Sequence, residues 1–151
     1  MLRRRGTRRD NGRSGSHPVN PSRGLIDTSV FVVLETNRAI QFDRLPEEQF
    51  VSAVTLGELY AGVHAARDAD TRGARLQTLD TVSIATVLNI DEAVAAHWAR
   101  LRQKLRESER RLNVNDLWIA STALVHSLTV YTQDVDFQVL SDLGGPEVIV
   151  I

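Results

Sequence analysis

The segment RRLNVNDLWIASTALVHSLTVYTQDVDF, residues 110–137, carries the densest structural pattern in this chain. Residues 115–125 are apolar almost all round, which is typical of a buried helix. The β-branched run that follows, LTVYT, predicts a strand in the middle of a sheet. Asp116 opens the helix, and Asp134 and Asp136 follow the strand. The segment therefore predicts carboxylates that face a crevice at one edge of an open α/β sheet.

On either side of this segment, strand patterns alternate with helix patterns. The other strand patterns are GLID at 24–27, QFVSAV at 49–54, SIATVLNI at 83–90 and PEVIVI at 146–151. The helix patterns are TSVFVVLE at 28–35 with Thr28 or Ser29 as N-cap, TLGELYAGVHAA at 55–66, a weakly amphipathic stretch at 68–83, and a helix from Asp91 to Ser108 with Asp91 as its cap. This alternation predicts a parallel sheet that is covered on both faces.

Composition excludes several classes of site. The chain has 151 residues, enough for one domain with a sizeable core, and no cysteine. Disulfides, thiolate metal sites and cysteine nucleophiles are therefore excluded. No apolar run approaches the ~20 residues needed to span a bilayer. The sequence contains no GxSxG, GxGxxG or Walker A pattern, and its histidines at 17, 64, 97 and 126 show no metal-ligand spacing.

Charge is distributed unevenly along the chain. Residues 1–24 hold seven arginines and one acid, whereas the other 127 residues hold 11 basic and 18 acidic side chains. The body therefore has a net charge of −7 and the N-terminal segment a net charge of +6. We predict that residues 1–23 form a disordered basic extension and that residues 24–151 form the folded domain. The extension is an unstructured addition, the product of an upstream start codon called too early, or a nucleic-acid-binding arm.

Four carboxylates occupy equivalent places in the alternation: Asp27 after the first strand, Glu58 and Asp116 in the first turns of two helices, and Asp134 after the fourth strand. All four should lie at the carboxyl edge of the sheet. Carboxylates a few ångströms apart repel each other unless a cation lies between them. Oxygen-only ligands suit Mg²⁺ or Mn²⁺, and such ions are completed by phosphate oxygens. The pattern indicates phosphodiester hydrolysis.

Each of these acids also has a purely structural interpretation. The sequence Thr55-Leu56-Gly57-Glu58 matches a capping box, in which the glutamate reaches back to the N-cap amide. Asp27 suits a helix N-cap, and the acids of TQDVD suit a turn. Asp116 could complement the helix dipole beside Asn115, itself a possible cap. These interpretations weaken if the acids converge at one edge of the sheet.

Four motifs in order, LIDTSVF, VTLGELYAGV, NDLWIASTAL and VYTQDVDF, resemble the motifs of the PIN domain, and most closely those of VapC-type toxins. The resemblance covers about residues 24–151. It implies a three-layer α/β/α sandwich with a mostly parallel sheet, and a cytoplasmic ribonuclease that depends on Mg²⁺ or Mn²⁺. The basic extension departs from the family, whose members usually begin just before the first strand.

Carried over motif by motif, the resemblance assigns Asp27, Glu58 and Asp116 to the acidic metal-binding positions. The fourth position falls on Asp134, with Asp136 close enough to share or replace it. The polar residues beside these acids are expected to orient them, and are Thr28, Ser29, Asn115 and Thr132.

The resemblance also implies partners. Such toxins are usually dimers that a cognate VapB-like antitoxin holds silent, often with a basic residue placed in the active site. The expected substrate is tRNA or another structured RNA, and the expected assembly is a homodimer or a toxin–antitoxin hetero-oligomer. The candidates for phosphate contacts are Arg100, Arg102, Lys104, Arg106, Arg110 and Arg111, of which Arg110 and Arg111 lie nearest in sequence to Asp116. The other interpretation of this stripe is a solvated helix face.

Two further functions compete with the nuclease. A receiver-like phosphoacceptor also places Asp and Mg²⁺ at the carboxyl edge of a parallel sheet, but it needs a lysine beside the site. The one lysine here, Lys104, lies in the middle of a predicted helix. The alternative is a catalytically silent PIN-fold module that binds antitoxin or RNA without cleavage. The intact set of acids argues against this silent module.

Overall fold

The computed structural model describes residues 22–36 and 38–151. Most of the predicted extension, residues 1–21, lies outside the described residues. Arg23, which we had assigned to the extension, instead begins the first strand. Its Nε lies 3.0 Å from Glu48 on the neighbouring strand, and its guanidinium lies over the Phe50 ring. The ordered domain therefore includes Arg23.

Five strands and five α-helices make up the described domain. In chain order they are β1 (Arg23–Ile26), α1 (Thr28–Glu35), β2 (Glu48–Ser52), α2 (Ala53–Ala65), α3 (Ala69–Val82), β3 (Thr86–Leu88), α4 (Glu92–Glu107), α5 (Val114–Val125), β4 (Thr129–Thr132) and β5 (Val148–Val150). Short 3-10 turns at Phe42–Arg44 and Val135–Leu140 complete the regular structure. None of the described helices has the length and apolar character that a membrane crossing requires.

The strands form one sheet in the order β3-β2-β1-β4-β5, and every neighbouring pair is parallel. This confirms the predicted parallel sheet. The chain first builds outward from β1 through β2 to β3, and then returns to place β4 on the other side of β1. Such a reversal leaves a crevice outside the carboxyl ends of the two central strands. Asp27 and Asp134 follow those two strands, so the topology places both acids beside this crevice.

Two apolar clusters cover the two faces of the sheet, which confirms the three-layer prediction. Alternate residues of a strand point to opposite faces. On β1, Leu25 belongs to the cluster that packs against α4 and α5, whereas Ile26 belongs to the cluster under α1 and α3. On β4, Val130 and Tyr131 divide in the same way. All four residues of β4 are buried, as expected for a central strand.

The middle of the sheet is closely packed where β1 meets β4. A Cβ at Gly24 would lie 2.7 Å from Cδ2 of the Tyr131 ring and 2.9 Å from Cγ of Pro46. Glycine is therefore required at this position for the Tyr131 ring to lie against β1. The same contact fixes β4 beside β1, on which the placement of the acids depends.

The predicted caps of three helices are wrong, each by one or more residues. Asp27 caps α1, so the assignment of this cap to Thr28 or Ser29 is wrong and the interpretation of Asp27 as an N-cap is confirmed. Asn113 caps α5, in place of Asn115. The helix α2 begins at Ala53, because Ser52 Oγ accepts a hydrogen bond of 3.1 Å from the amide of Val54. Predicted strand residues 53 and 54 are consequently helical. The predicted strand 83–90 is also shorter, since β3 contains only Thr86–Leu88.

Candidate active site

Asp27 is a buried carboxylate with one oxygen occupied by hydroxyl groups. Its side chain is 3% exposed. Its Oδ2 accepts hydrogen bonds from the Ser29 hydroxyl at 2.6 Å and from the Thr132 hydroxyl at 2.8 Å. The amide of Ser29 also donates to Oδ2, at 3.4 Å, which is the capping bond of α1. These hydrogen bonds offset the cost of burying a polar side chain.

The same two hydroxyls connect Asp27 to the loop that follows β4. The Ser29 hydroxyl oxygen accepts a hydrogen bond of 3.0 Å from the amide of Gln133. The Thr132 hydroxyl oxygen accepts one of 2.9 Å from the amide of Asp134. Each hydroxyl thus donates to Asp27 and accepts from the TQD segment. This arrangement holds the acid at the end of β1 and the acid at the end of β4 in a fixed relation.

Glu58 lies in the second turn of α2, whereas the sequence placed it in the first. With Ser52 as N-cap, Thr55 is the third helical residue, and the predicted Thr55–Glu58 capping box is wrong. The Thr28 hydroxyl instead donates to Glu58 Oε1 at 2.8 Å. Thr55 is fully buried, and its hydroxyl oxygen lies 3.0 Å from that of Thr28. The Thr28 hydroxyl is the donor in this contact as well, so its single proton is shared between Thr55 Oγ1 and Glu58 Oε1.

Sequence reasoning missed Thr55, which contacts the Thr28 hydroxyl that holds Glu58 in place. The signal was present, because residues three apart lie on the same face of a helix. A buried threonine at this spacing from an acid is a candidate for a supporting hydrogen bond.

Asp116 lies in the first turn of α5, and both its burial and the neighbouring acids affect its ionisation. Burial raises the pKa of Asp116 from its ordinary value of 3.8 to about 7. The negative charges of Asp27, Asp134, Glu58 and Asp136, in decreasing order, add to this increase. All the candidate acids therefore lie within electrostatic reach of Asp116, at the carboxyl edge of the sheet.

The TQDVD segment forms a turn that brings both of its acids towards Asp116. Asp134 caps the 3-10 turn, and its Oδ1 accepts a hydrogen bond of 2.8 Å from the amide of Asp136. Asp136 is exposed, whereas Asp134 is half-buried. Asp134 also has the larger effect on the pKa of Asp116. Both observations favour Asp134 over Asp136 as the fourth acid.

The donor chemistry of the site suits a hard cation, although the acids are not arranged around one. Among residues 22–36 and 38–151, no three Asp, Glu or His side chains are placed to hold a metal ion as they stand. Glu58 Oε1 and Asp134 Oδ1 are each engaged in hydrogen bonds within the protein. Carboxylates that share a crevice repel each other unless a cation lies between them. The donors are all oxygens, the ligands that Mg²⁺ and Mn²⁺ prefer.

The remaining predicted residues, Asn115, Arg110 and Arg111, are exposed and lie on or just before the first turn of α5. Asn115 is exposed on the first turn of α5, one position before Asp116. Arg110 is exposed, and its Nη1 lies 2.6 Å from Asp142 Oδ1, which ties the segment before α5 to the segment after the 3-10 turn. Arg111, beside it, is also exposed. The structure assigns no RNA contact to either arginine, and this role stays a prediction.

Comparison with known proteins identifies the family. A family model described as the PIN domain matches residues 24–143, and this range contains every one of the acids discussed above. The chain belongs to the PIN-domain family. Ribonuclease VapC5 of Mycobacterium tuberculosis is 43% identical over 131 residues, covering 87% of this chain and 97% of that protein. Ribonuclease VapC4 of the same organism is 42% identical over 126 residues, covering 83% of this chain and 96% of that protein.

A solved structure of the VapC group has the same fold. A chain from the crystal structure of VapBC-5 of Mycobacterium tuberculosis, a member of the VapBC family of toxin–antitoxin systems, superposes with a TM-score of 0.79. It is 41% identical, and the match covers 87% of this chain and all of that chain. The predicted resemblance to the PIN domain and to VapC-type proteins is therefore confirmed.

The raised pKa of Asp116 predicts how its replacement changes stability. Because the folded state binds this proton more tightly than the unfolded chain does, Asp116 makes the protein less stable as pH rises from about 4 to about 7. In EDTA at pH 8, Asp116→Asn should melt at a higher temperature than the wild type. The difference should shrink as the pH is lowered towards 4.

Thermal melts of both proteins across this pH range check the prediction. Asp80→Asn, an exposed change on α3, controls for the loss of a negative charge. A wild type that is more stable than Asp116→Asn at pH 8 would contradict the crowding of negative charge around Asp116.

Proposed function

We propose that this protein is a metal-dependent endoribonuclease toxin that hydrolyses phosphodiester bonds in RNA and is neutralised by a VapB-like antitoxin. The observation that carries the proposal is the convergence of four acids on Asp116, whose pKa is raised to about 7 by burial and by those neighbouring charges. Perturbed carboxylates in a crevice are characteristic of functional sites. The two Mycobacterium tuberculosis relatives are both named ribonucleases, which supports the same chemistry.

Mg²⁺ or Mn²⁺ is the cofactor that these residues suit. When bound, such an ion supplies positive charge that activates water and stabilises charge on the phosphate. Asp27 and Asp116 would hold it directly. Oδ2 of Asp27 already takes two hydroxyl hydrogen bonds, so its other oxygen, Oδ1, is the one to face the ion.

The other acids act on water and on the geometry of the site. Glu58 and Asp134 complete the set of ligands or orient the attacking water. Thr28 holds the Glu58 carboxylate in place through its 2.8 Å hydrogen bond. Because water attacks phosphorus, the products should carry a 5′-phosphate and a 3′-hydroxyl, and the 2′-hydroxyl of the substrate takes no part.

The substrate that we propose is tRNA or another structured RNA. Arg110 and Arg111 lie in the exposed segment just before α5, and we propose that they contact its phosphates. The Arg110 guanidinium already pairs with Asp142, so part of its charge is compensated within the protein. Phosphate binding near Asp116 must therefore rest on the cation and on further positive side chains, because the body of the domain is acidic.

The partner that we propose is an antitoxin with a basic segment. The VapBC-5 structure, by its name, is of a toxin–antitoxin system, and its matching chain is 41% identical to this one. An acidic crevice in a body with a net charge of −7 suits a basic inhibitory segment. A homodimer, or a hetero-oligomer of toxin and antitoxin, is the corresponding assembly.

Cleavage of total tRNA and rRNA tests the proposal. We expect the wild type to give discrete fragments with 5′-phosphate ends in Mg²⁺ or Mn²⁺ and none in EDTA. Asp116→Ala should lower the rate by several orders of magnitude, since it removes a proposed ligand from the centre of the acidic site. Gel electrophoresis and end mapping of the fragments provide the measurement.

The outcomes separate the enzyme from its alternative. Equal cleavage by the wild type and Asp116→Ala would point to a contaminating nuclease and overturn the mechanism. If the purified wild type binds RNA or an antitoxin but cuts neither tRNA nor rRNA, the catalytically silent PIN-fold module becomes the better account.

The Thr132 hydroxyl should be needed for activity through its effect on Asp27. Thr132→Val removes a bond to a buried carboxylate, and such bonds contribute about 1.5–3 kcal/mol, so we expect at least a tenfold loss of activity. Thr132→Ser keeps the hydroxyl and should retain most of the activity. Thr129→Val is the matched control, because Thr129 is buried on the same strand. Its hydroxyl makes a long hydrogen bond of 3.5 Å to Glu147 Oε2 and none to Asp27. Equal losses in Thr132→Val and Thr129→Val would mean that the effect is structural.

A further inference from the structure

A narrow cleft opens beside the acidic site, between α1, α2 and α3. Thr28 and Glu58, which belong to the site, also line this cleft. Its volume is about 230 Å³. Sites for drug-sized ligands are larger, at roughly 300–1,000 Å³. The cleft is therefore suited to part of an extended chain that continues out of the acidic site.

Arg75 supplies positive charge to this cleft. Among the described residues that line it, Arg75 is the one cation. Its Nη1 donates to the carbonyl oxygen of Gly62, which fixes the guanidinium against α2. A guanidinium has five N–H groups in a planar fork that matches phosphate, so Arg75 keeps donors beyond the one it spends on Gly62.

Arg75 is anchored one helical turn along α2 from Glu58. Gly62, whose carbonyl oxygen accepts from Arg75, follows Glu58 by four residues on α2. Four residues of an α-helix rise by about 6 Å. Glu58 and the anchor point of Arg75 therefore line the same cleft at successive turns of α2.

The opposite wall of the cleft offers contacts for a sugar or a base. Glu35 lines it, and its Oε1 accepts a hydrogen bond of 2.7 Å from the Thr78 hydroxyl, which orients the carboxylate. A carboxylate accepts hydrogen bonds from a 2′-hydroxyl or from a base amino group. Val32, which is 43% exposed, gives an apolar surface beside them.

We propose that this cleft binds the nucleotide adjacent to the cleaved phosphodiester bond and that Arg75 contacts the phosphate of that nucleotide. The inference rests on the proposed ribonuclease activity and deepens it. Arg75, on α3, would then supply positive charge for the anionic substrate in a domain that is acidic overall. Arg110 and Arg111 lie on a different element, just before α5.

Arg72 provides a matched control for Arg75. Both arginines lie on α3, and each donates to a carbonyl oxygen in or just after the last turn of α2, Arg72 to Ala66 at 3.2 Å and Arg75 to Gly62. Arg72 does not line the cleft. Arg75→Ala and Arg72→Ala thus remove the same charge and a similar structural bond, while only the former removes charge from the cleft.

Binding to single-stranded RNA gives the first test. The full-length protein carries Asp116→Asn to prevent cleavage, and the probe is a fluorescent random-sequence RNA, titrated in Mg²⁺ buffer at several salt concentrations. Arg75→Ala should bind about tenfold more weakly, the effect expected from losing a charge-assisted phosphate contact. Its plot of log affinity against log salt should lose about 0.7 in slope, the value for one phosphate contact on a single strand. Arg72→Ala should leave both quantities unchanged, and Arg75→Lys should keep the slope.

Cleavage of a modified substrate gives the second test. An oligonucleotide containing the mapped cleavage site receives a neutral methylphosphonate at the phosphate on one side of the cut, and then on the other. At one of these positions the modification should raise the KM of the wild type and of Arg72→Ala, and have little further effect on Arg75→Ala. Such loss of additivity reports a direct contact between the two groups.

The outcomes separate this inference from the proposed function. If the wild type cleaves RNA but Arg75→Ala matches Arg72→Ala in both tests, the subsite is refuted and the nuclease stands. If no variant cleaves RNA, the proposed function fails and the subsite fails with it. A change in RNA binding that is equal in Arg75→Ala and Arg72→Ala would reflect the overall charge of α3 and also overturn the subsite.

Discussion

The two hydroxyl groups that share one oxygen of Asp27 hold the active-site edge of this domain together. They belong to Ser29 at the start of α1 and Thr132 at the end of β4, which are distant in sequence. Each hydroxyl also accepts an amide proton from the loop after β4. A buried carboxylate at 3% exposure would otherwise be costly, so the hydroxyls both stabilise the charge and fix the crevice where the sheet order reverses.

The same edge of the sheet brings together Asp116 and four other acids, whose negative charges repel one another. Burial and four neighbouring acids raise the pKa of Asp116 to about 7, so its ionised form is destabilised relative to an exposed carboxylate. Such a cost is characteristic of functional sites, where the rest of the fold offsets it. The acidic body of the domain extends the same negative field, which suits the basic inhibitory segment proposed above and is the reason that Arg75 matters for the proposed RNA substrate.

The sequence predicted the sheet and the convergence of the acids because those features depend on strong, local patterns. The run TVYT is buried at all four positions, and α5 has six buried residues in its length.

The caps were harder to predict, because several hydroxyl and carboxylate side chains could cap each helix start. Ser52, and not Thr55, caps α2, so the helix begins earlier and Glu58 lies in its second turn. The run at 83–90 was overestimated, since strand propensity does not show which residues find a pairing partner, and Ile84 is 85% exposed. Arg75 lies in a polar helix without a motif, so only the folded structure shows that it lines a cleft.

Anomalous diffraction from crystals grown or soaked with Mn²⁺ tests the central claim most directly, which is that these acids share a cation. The account predicts a strong manganese peak about 2.1 Å from Asp27 Oδ1 and from the Asp116 carboxylate, with Glu58 or Asp134 turned towards it. The hydroxyls of Ser29 and Thr132 should remain on Asp27 Oδ2. The account would be contradicted if manganese bound elsewhere on the protein with high occupancy and gave no peak at these carboxylates.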